Sequence, residues 1–470
     1  NNVSASLTFL GGGSGHTPSE GGAVYNEGWI DNIKGDFINN QAGWNGGAIT
    51  VEQESQIERI EGNFINNKTS GMNSYGGAIA VKGEVNEIHG NFVNNMTTVD
   101  GGAIGIMNNG SNNGEVGKIS GNFVSNGVKG DMAYLRGGAV SIRHGGTSPV
   151  IDADFINNYA ANTQVLSGYD LQARVVATGG AIDTYADTTF VADNVHHIFS
   201  GNYTLDKYGK EYNALFVNSR SAPTISFHTL QNGQWIINDS IKGGDNRVST
   251  IQYPYQYNLS FSGDGSGTVW INNDIINAGN IKVENTTLRF GAYQHDDRTA
   301  VNWDGHGRIV NGVDGRDPVT SLSLLKSNLD LFNHYQDTIE LKDYLAASSF
   351  LHIDVDVENL TADTLKVNGD VAGTTKLILY PTSNKDIRGR SIVFATSQGD
   401  ATGDKFSFVV SRVYTSPYMF DVVYHQLGEG ENQWSLVMNN EINPDADAKP
   451  DVPTPPTPNI PTTDNRKVAP

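Results

Sequence analysis

Over the first 203 residues, apolar and polar positions alternate in short bursts, and two kinds of burst take turns. In the first kind, Ile33, Gly35 and Phe37 fall on one side of an alternating segment. Ile60/Gly62/Phe64, Ile88/Gly90/Phe92, Ile119/Gly121/Phe123 and Ile151/Ala153/Phe155 repeat it. Phe199, Gly201 and Tyr203 read as a worn sixth copy. The second kind places Ile49 with Val51, Ile79 with Val81, Ile104 with Ile106, and Val140 with Ile142. A period of two predicts strands, and nothing nearby shows the 3.6-residue period of a helix.

Fixed phrases frame the bursts. Gly-Gly-Ala precedes the second kind, with doublets that include Gly46-Gly47, Gly76-Gly77 and Gly101-Gly102. Asn pairs follow the first kind: Asn66-Asn67 after Phe64 and Asn94-Asn95 after Phe92, with related endings after Phe123 and Phe155. The phrases alternate without exception, and self-similarity at 20–50 residues is the mark of a solenoid. Two short strands per repeat cannot bury themselves as a hairpin. Stacked in parallel at about 4.8 Å per coil they can, with Phe on Phe and Asn on Asn. The glycines fit a corner that needs positive φ or close backbone approach. The predicted fold is all-β, a right-handed parallel β-helix. A β-sandwich with Gly-rich turns is the alternative, but it does not call for strict alternation.

The pattern divides the chain. Residues 1–203 form the repeat-bearing β-helix. Residues 204–359 keep strand alternation without the phrases and read as degenerate coils with a large polar loop at 291–318. Residues 360–440 are richer in aromatic and β-branched residues and read as a C-terminal cap. Residues 441–470 hold Pro444, Pro450, Pro453, Pro455, Pro456, Pro458 and Pro461 and predict an extended linker toward something further on. About 25 residues and ~4.8 Å per coil give a rod on the order of 80 Å.

Composition narrows the partners. No cysteine is present among 470 residues, which removes disulfides and thiolate metal sites. A formal charge of −20 disfavours nucleic acid and anionic membrane surfaces. No stretch is long and apolar enough for a membrane-spanning helix. A start at Asn1, with neither Met nor a leader, is expected of a processed or trimmed fragment.

The Gly-Gly-Ala-Ile and Phe-x-x-Asn phrases resemble the polymorphic outer membrane protein repeats of bacterial autotransporters. Segment 360–440 is similar to the autochaperone region that closes many autotransporter passengers, through Asp363-Thr364-Leu365-Lys366-Val367-Asn368-Gly369 and Trp434-Ser435-Leu436. The Pro-rich end resembles the approach to a translocator barrel. The resemblance implies a type V secretion passenger of a Gram-negative bacterium, exported through the outer membrane and displayed outside the cell. Membrane contact would come only through the missing barrel.

Candidate chemistry is sparse. Asp296-Asp297 followed by Gly305-His306-Gly307-Arg308-Ile309 resembles polygalacturonase elements, but crowds them into one stretch where that family spreads them over successive coils. Gly263-Asp264-Gly265-Ser266-Gly267 permutes a serine-nucleophile loop and reads as a tight turn. His196 and His197 point to opposite faces of a strand and cannot chelate one ion. Asp354, Asp356 and Glu358 share a face and read as a solvated acidic row, with weak calcium binding as the alternative. Insertions at 107–117, 127–136 and 160–178 and the aromatics Tyr253, Tyr255 and Tyr257 are the candidate contact features. The expected function is adhesion without catalysis, cofactor or metal. The partner would be a surface receptor, a matrix or glycan, or identical copies of the chain. A β-helical hydrolase and an inert stalk are the rival readings.

Overall fold

The computed structural model describes residues 3–10, 20–107, 113–132, 134–143, 149–162, 176–206, 209–218, 222–244, 256–291, 307–310, 319–399, 406–444 and 446–447. Among these, every regular element is a strand, and the chain winds as a parallel β-helix. The long wall carries the first burst: Trp29–Ile38, Gln56–Ile65, Glu84–Val93 and Glu115–Val124. The short wall carries the second: Ile49–Val51, Ile79–Val81, Ile104–Ile106 and Val140–Ile142. A third wall was not read from the sequence. It begins as Gln41–Ala42, Lys68–Thr69 and Met96–Thr97, segments too short to show a period.

Stacking is in register. Phe37, Phe64, Phe92, Phe123 and Phe155 lie opposite one another from coil to coil. Their buried rings stack at 4.6–4.9 Å with tilts of 3–9°. The first glycine of each doublet takes a left-handed conformation, as at Gly76 (φ 64°) and Gly101 (φ 69°). The second lies under the next coil, where a Cβ on Gly77 would come within 2.1 Å of the Gly102 carbonyl oxygen.

The two asparagines of each pair do different work. Asn66 and Asn94 turn the chain at φ 55° and 54°. Asn67 and Asn95 point inward and are fully buried. Asn95 Nδ2 donates to Phe64 O (2.8 Å) and to Asn126 Oδ1 (2.9 Å). Its Oδ1 accepts from Asn67 N (3.0 Å) and Asn67 Nδ2 (2.9 Å). The same pattern runs from Asn40 through Asn67, Asn95, Asn126 and Asn158 to Asn202. It ends at Asp239, whose carboxylate accepts from Gly201 N, Asn202 N and Asn202 Nδ2.

The worn sixth copy is registered differently from the sequence expectation. Phe199, not Tyr203, continues the Phe column, stacking on Phe155 at 4.8 Å. Gly201 (φ 72°) takes the turn position held by Asn, or by Ser125, in earlier coils, and Tyr203 sits opposite Tyr159 on the third wall. Glycine serves both a strand and a left-handed turn, so its spacing alone does not fix the register.

At this coil the long wall breaks in two. Strand Val150–Ile156 pairs at its start with Thr188–Asp193 and at its end with His196–Ser200. The break persists in Thr224–Leu230 with Gln234–Ile237, Tyr257–Gly263 with Thr268–Ile271, and Ala278–Glu284 with Thr287–Phe290. Left-handed residues mark it at Asn194, Gln231, Asn232 and Asn285.

Two other expectations need correction. Part of the polar stretch 291–318 belongs to the rod, because Ile309–Val310 pairs in parallel with Ile275–Ile276. The stretches 127–136 and 160–178, read as insertions, begin as rod, because Gly127–Gly130 pairs in parallel with Tyr159–Asn162 on the third wall, and they add a small parallel sheet, Tyr134–Arg136 with Val176–Thr178. Toward the C-terminus, parallel stacking gives way to the antiparallel pair Tyr418–Gly428 and Glu431–Ile442. Its core packs edge-on: Phe406, Phe408 and Trp434 meet at 4.7–5.6 Å with planes at 79–90°.

Candidate functional site

The outward side of the long wall is a lattice of polar side chains built by the same register that stacks the core. Between the inward Ile, Gly and Phe of each strand, two residues face out. One outward column is Asp36, Asn63, Asn91, Asn122 and Asp154. Asn63 Nδ2 donates to Asp36 Oδ1 (2.7 Å), Asn91 Nδ2 to Asn63 Oδ1 (2.9 Å), and Asn122 Nδ2 to Asn91 Oδ1 (2.9 Å). The next column is Lys34, Glu61, His89, Ser120 and Asp152.

Opposite charges alternate along the rod. Lys34 Nζ lies 2.7 Å from Glu61, Arg59 Nη1 2.8 Å from Glu87, and Lys118 Nζ 3.0 Å from Asp152. Lys34, whose hydrogen bond leads over weaker neighbours, holds the Glu61 carboxyl below its ordinary range. His89 Nδ1 and Ser120 Oγ share a hydrogen bond at 2.9 Å. A shallow groove of about 420 Å³ runs across these coils from Arg59 and Glu87 to His197.

The short wall presents the opposite case. Thr50, Ala80, Ser141 and Asp183 are fully buried although they occupy the middle, outward position of their strands. A neighbouring column of Glu20, Asn45, Tyr75, Asp100 and Arg136 stands beside them. Lys82 pairs with both Glu20 and Glu52, and Asp100 pairs with Arg136 (3.2 Å) and Arg143 (2.9 Å). The chain's own ion pairs cover this face. Burial pushes the Asp183 carboxyl up to about 7, against the pull of Arg136 and a hydrogen bond from Thr178.

Of the aromatic contact candidates, Tyr253 and Tyr255 lie outside the described residues. Tyr257 is inside the rod, which corrects its reading as a contact residue. It is fully buried, its ring fills the space a Cβ on Gly243 would occupy, and its hydroxyl donates to Ile241 O at 3.3 Å. Parity explains this: Tyr257, Leu259 and Phe261 are the inward positions of one strand. The alternation was available in the sequence, and the cluster of three tyrosines obscured it.

The acidic row is corrected as well. Asp354 is buried, and its Oδ2 accepts from Asn333 N and His334 N, while Glu358 is exposed and pairs with Lys385 at 2.7 Å. The turn Gly263–Gly267 is held by Asp264, which accepts from Ser266 N (3.0 Å) and from Gln231 N (2.8 Å) of the coil before. Asp296, Asp297, Gly305 and His306 lie outside the described residues. His196 is exposed, whereas His197 is buried against Asp152 and Asp154.

Fold and face together define a parallel β-helix whose long wall carries an outward lattice of polar side chains. No protein-family model matches the chain, and no curated protein does. Among solved structures, the Haemophilus influenzae Hap adhesin is similar over 89% of this chain, at 10% identity and a TM-score of 0.24. The chain spans 64% of that adhesin's length. A likeness at this level transfers neither residue roles nor activity.

Proposed function

We propose that the chain is the passenger of an autotransporter-type surface protein and works as an adhesin, through many weak contacts along the outward face of its long wall. The supporting observation is the register. Asn63, Asn91 and Asn122 repeat one polar group at one-coil spacing on a rigid scaffold, each linked to the next. Residual donors and acceptors of such a column each contribute ~0.5–1.5 kcal/mol net, so affinity comes from number. In this reading the rod performs no hydrolysis, and its partner is a repetitive surface: another copy, a matrix or a glycan.

Cells or beads displaying the chain test this. Replacing Asn63, Asn91 and Asn122 together by Ala should abolish clumping or attachment, while Asn91→Ala alone should barely change it. Because the chain carries −20, contact between identical copies should strengthen as salt screens repulsion. Full binding by the triple variant, or complete loss from one substitution, would overturn the distributed face. Turnover of a glycan, ester or peptide that Asp297→Asn or His306→Ala abolishes would overturn the non-catalytic reading.

A further inference from the structure

Where the long wall breaks, its own backbone pairing is interrupted, while the short and third walls, the Phe column and the Asn ladder run on across the seam. Strands Glu84–Val93 and Glu115–Val124 are aligned from Glu84↔Glu115 to Val93↔Val124. At the seam, Val150 and Ile151 pair with Thr189 and Phe190, and Phe155 and Ile156 pair with Phe199 and Ser200. Residues 152–154 fall in the gap between these pairings. Side chains occupy it. His197 Nε2 lies 2.9 Å from Asp152 Oδ1, and His197 Nδ1 lies 3.1 Å from Asp154 Oδ1. Asp154 Oδ1 also accepts from Ile198 N at 3.0 Å.

A neutral imidazole has one N–H and one bare nitrogen. Here both ring nitrogens face carboxylate oxygens, and only the imidazolium donates to both. The other groups around the ring fit that charge. Lys118 binds the far side of Asp152 at 3.0 Å, and the Trp235 ring lies 4.8 Å from the imidazole. His196, the other titratable group on the same strand, is the more exposed of the pair. We propose that His197 is a pH-sensitive clamp on this seam: doubly protonated it bolts the unbroken coils to the broken ones, and on losing a proton it releases one of its two carboxylates and loosens the joint.

The sign follows from the surroundings. Burial lowers the proton affinity of His197, but hydrogen bonds to Asp152 and Asp154 outweigh it and raise the group above 6.5. The hydrogen bond from His197, helped by Lys118, holds Asp152 at about 2. The histidine's contribution is complete below about 6.5 and fades as pH rises through its higher folded value. The aspartate's contribution is lost only in strong acid. The clamp is closed from about pH 4 to about 6.5 and opens as pH rises through the raised value of His197.

The test uses the full chain. Imidazole NMR should show both His197 nitrogens protonated at pH 6, with a midpoint above 6.5, and a lower midpoint for His196. Hydrogen exchange at Phe199 and Ser200, corrected for intrinsic pH dependence, should lose protection between pH 6 and 9. His197→Gln should remove that pH response, and Asp154→Asn should lower the His197 midpoint while the chain stays folded. A single neutral tautomer at pH 6, or an unchanged pH response in His197→Gln, would overturn the clamp. If His197→Gln fails to fold, an unshifted His197 midpoint in Asp154→Asn would overturn it equally.

Discussion

Replacing Asn95 should be far more damaging than replacing Asn94, although the sequence presents them as one motif. The Asn95 side chain makes four hydrogen bonds inside the rod: two donated, to Phe64 O and Asn126 Oδ1, and two accepted, from Asn67 N and Asn67 Nδ2. At ~0.5–1.5 kcal/mol net each, Asn95→Ala removes roughly 2–6 kcal/mol. The upper half of that range is expected, because the partners stay buried and the amides in a chain polarise one another. Asn94 contributes a backbone conformation, φ 54°. Asn94→Ala should cost about 1 kcal/mol and Asn94→Gly close to nothing. Hydrogen exchange at the Asn67 and Asn95 amides reads the difference, since those N–H groups donate along the ladder. Equal losses of protection in Asn94→Ala and Asn95→Ala would refute the inward ladder.

Phe92 lies between Phe64 at 4.8 Å and Phe123 at 4.6 Å, so Phe92→Ala should cost ~3–5 kcal/mol and open nearby coils to protease; wild-type resistance would count against the stack. Gly102→Ala would set a Cβ 1.9 Å from Gly138 O, whereas a Cβ on Gly28 meets nothing within 4 Å. The first substitution should destabilise by about 3 kcal/mol in urea unfolding and the second should be near neutral. Asp183, with its carboxyl raised to about 7, favours the fold when protonated, so its contribution declines as pH rises from about 4 to about 7. That decline is on the order of 4 kcal/mol. Urea unfolding at pH 5 and pH 8 should show Asp183→Asn with a shallower loss than the parent, and identical slopes would contradict the assignment.

The repeated phrases made the inside of the rod legible. Alternation assigned Ile60, Phe64, Ile79 and Val81 to the interior because burial selects side chains by parity, and parity is written in the sequence. Two things were not written there. Asn66 and Asn67 are chemically identical, and only the left-handed turn at the first sends the second inward. The third wall has too few residues per coil to carry a period. Tyr257 shows a different failure: its parity was legible, but three neighbouring tyrosines suggested a surface. The seam was the hardest to see. Ile151 and Phe155 are four residues apart, while their partners Phe190 and Phe199 are nine apart, so the added turn hides inside a coil that keeps its aromatic column. The polar face follows from the repeat, since every column on it is the outward half of a pattern whose inward half is the core. The clamp does not. It arises where the repeat fails and backbone pairing is interrupted, leaving carboxylates that a regular coil would have kept as one more rung. In a solenoid each coil is stabilised by its neighbours, and at this seam the long wall gives up backbone pairing while the Phe column, the Asn ladder and the other two walls run on. A titratable side chain placed there acts on the one wall whose pairing is interrupted, where His197, Asp152 and Asp154 stand in the place of missing backbone bonds.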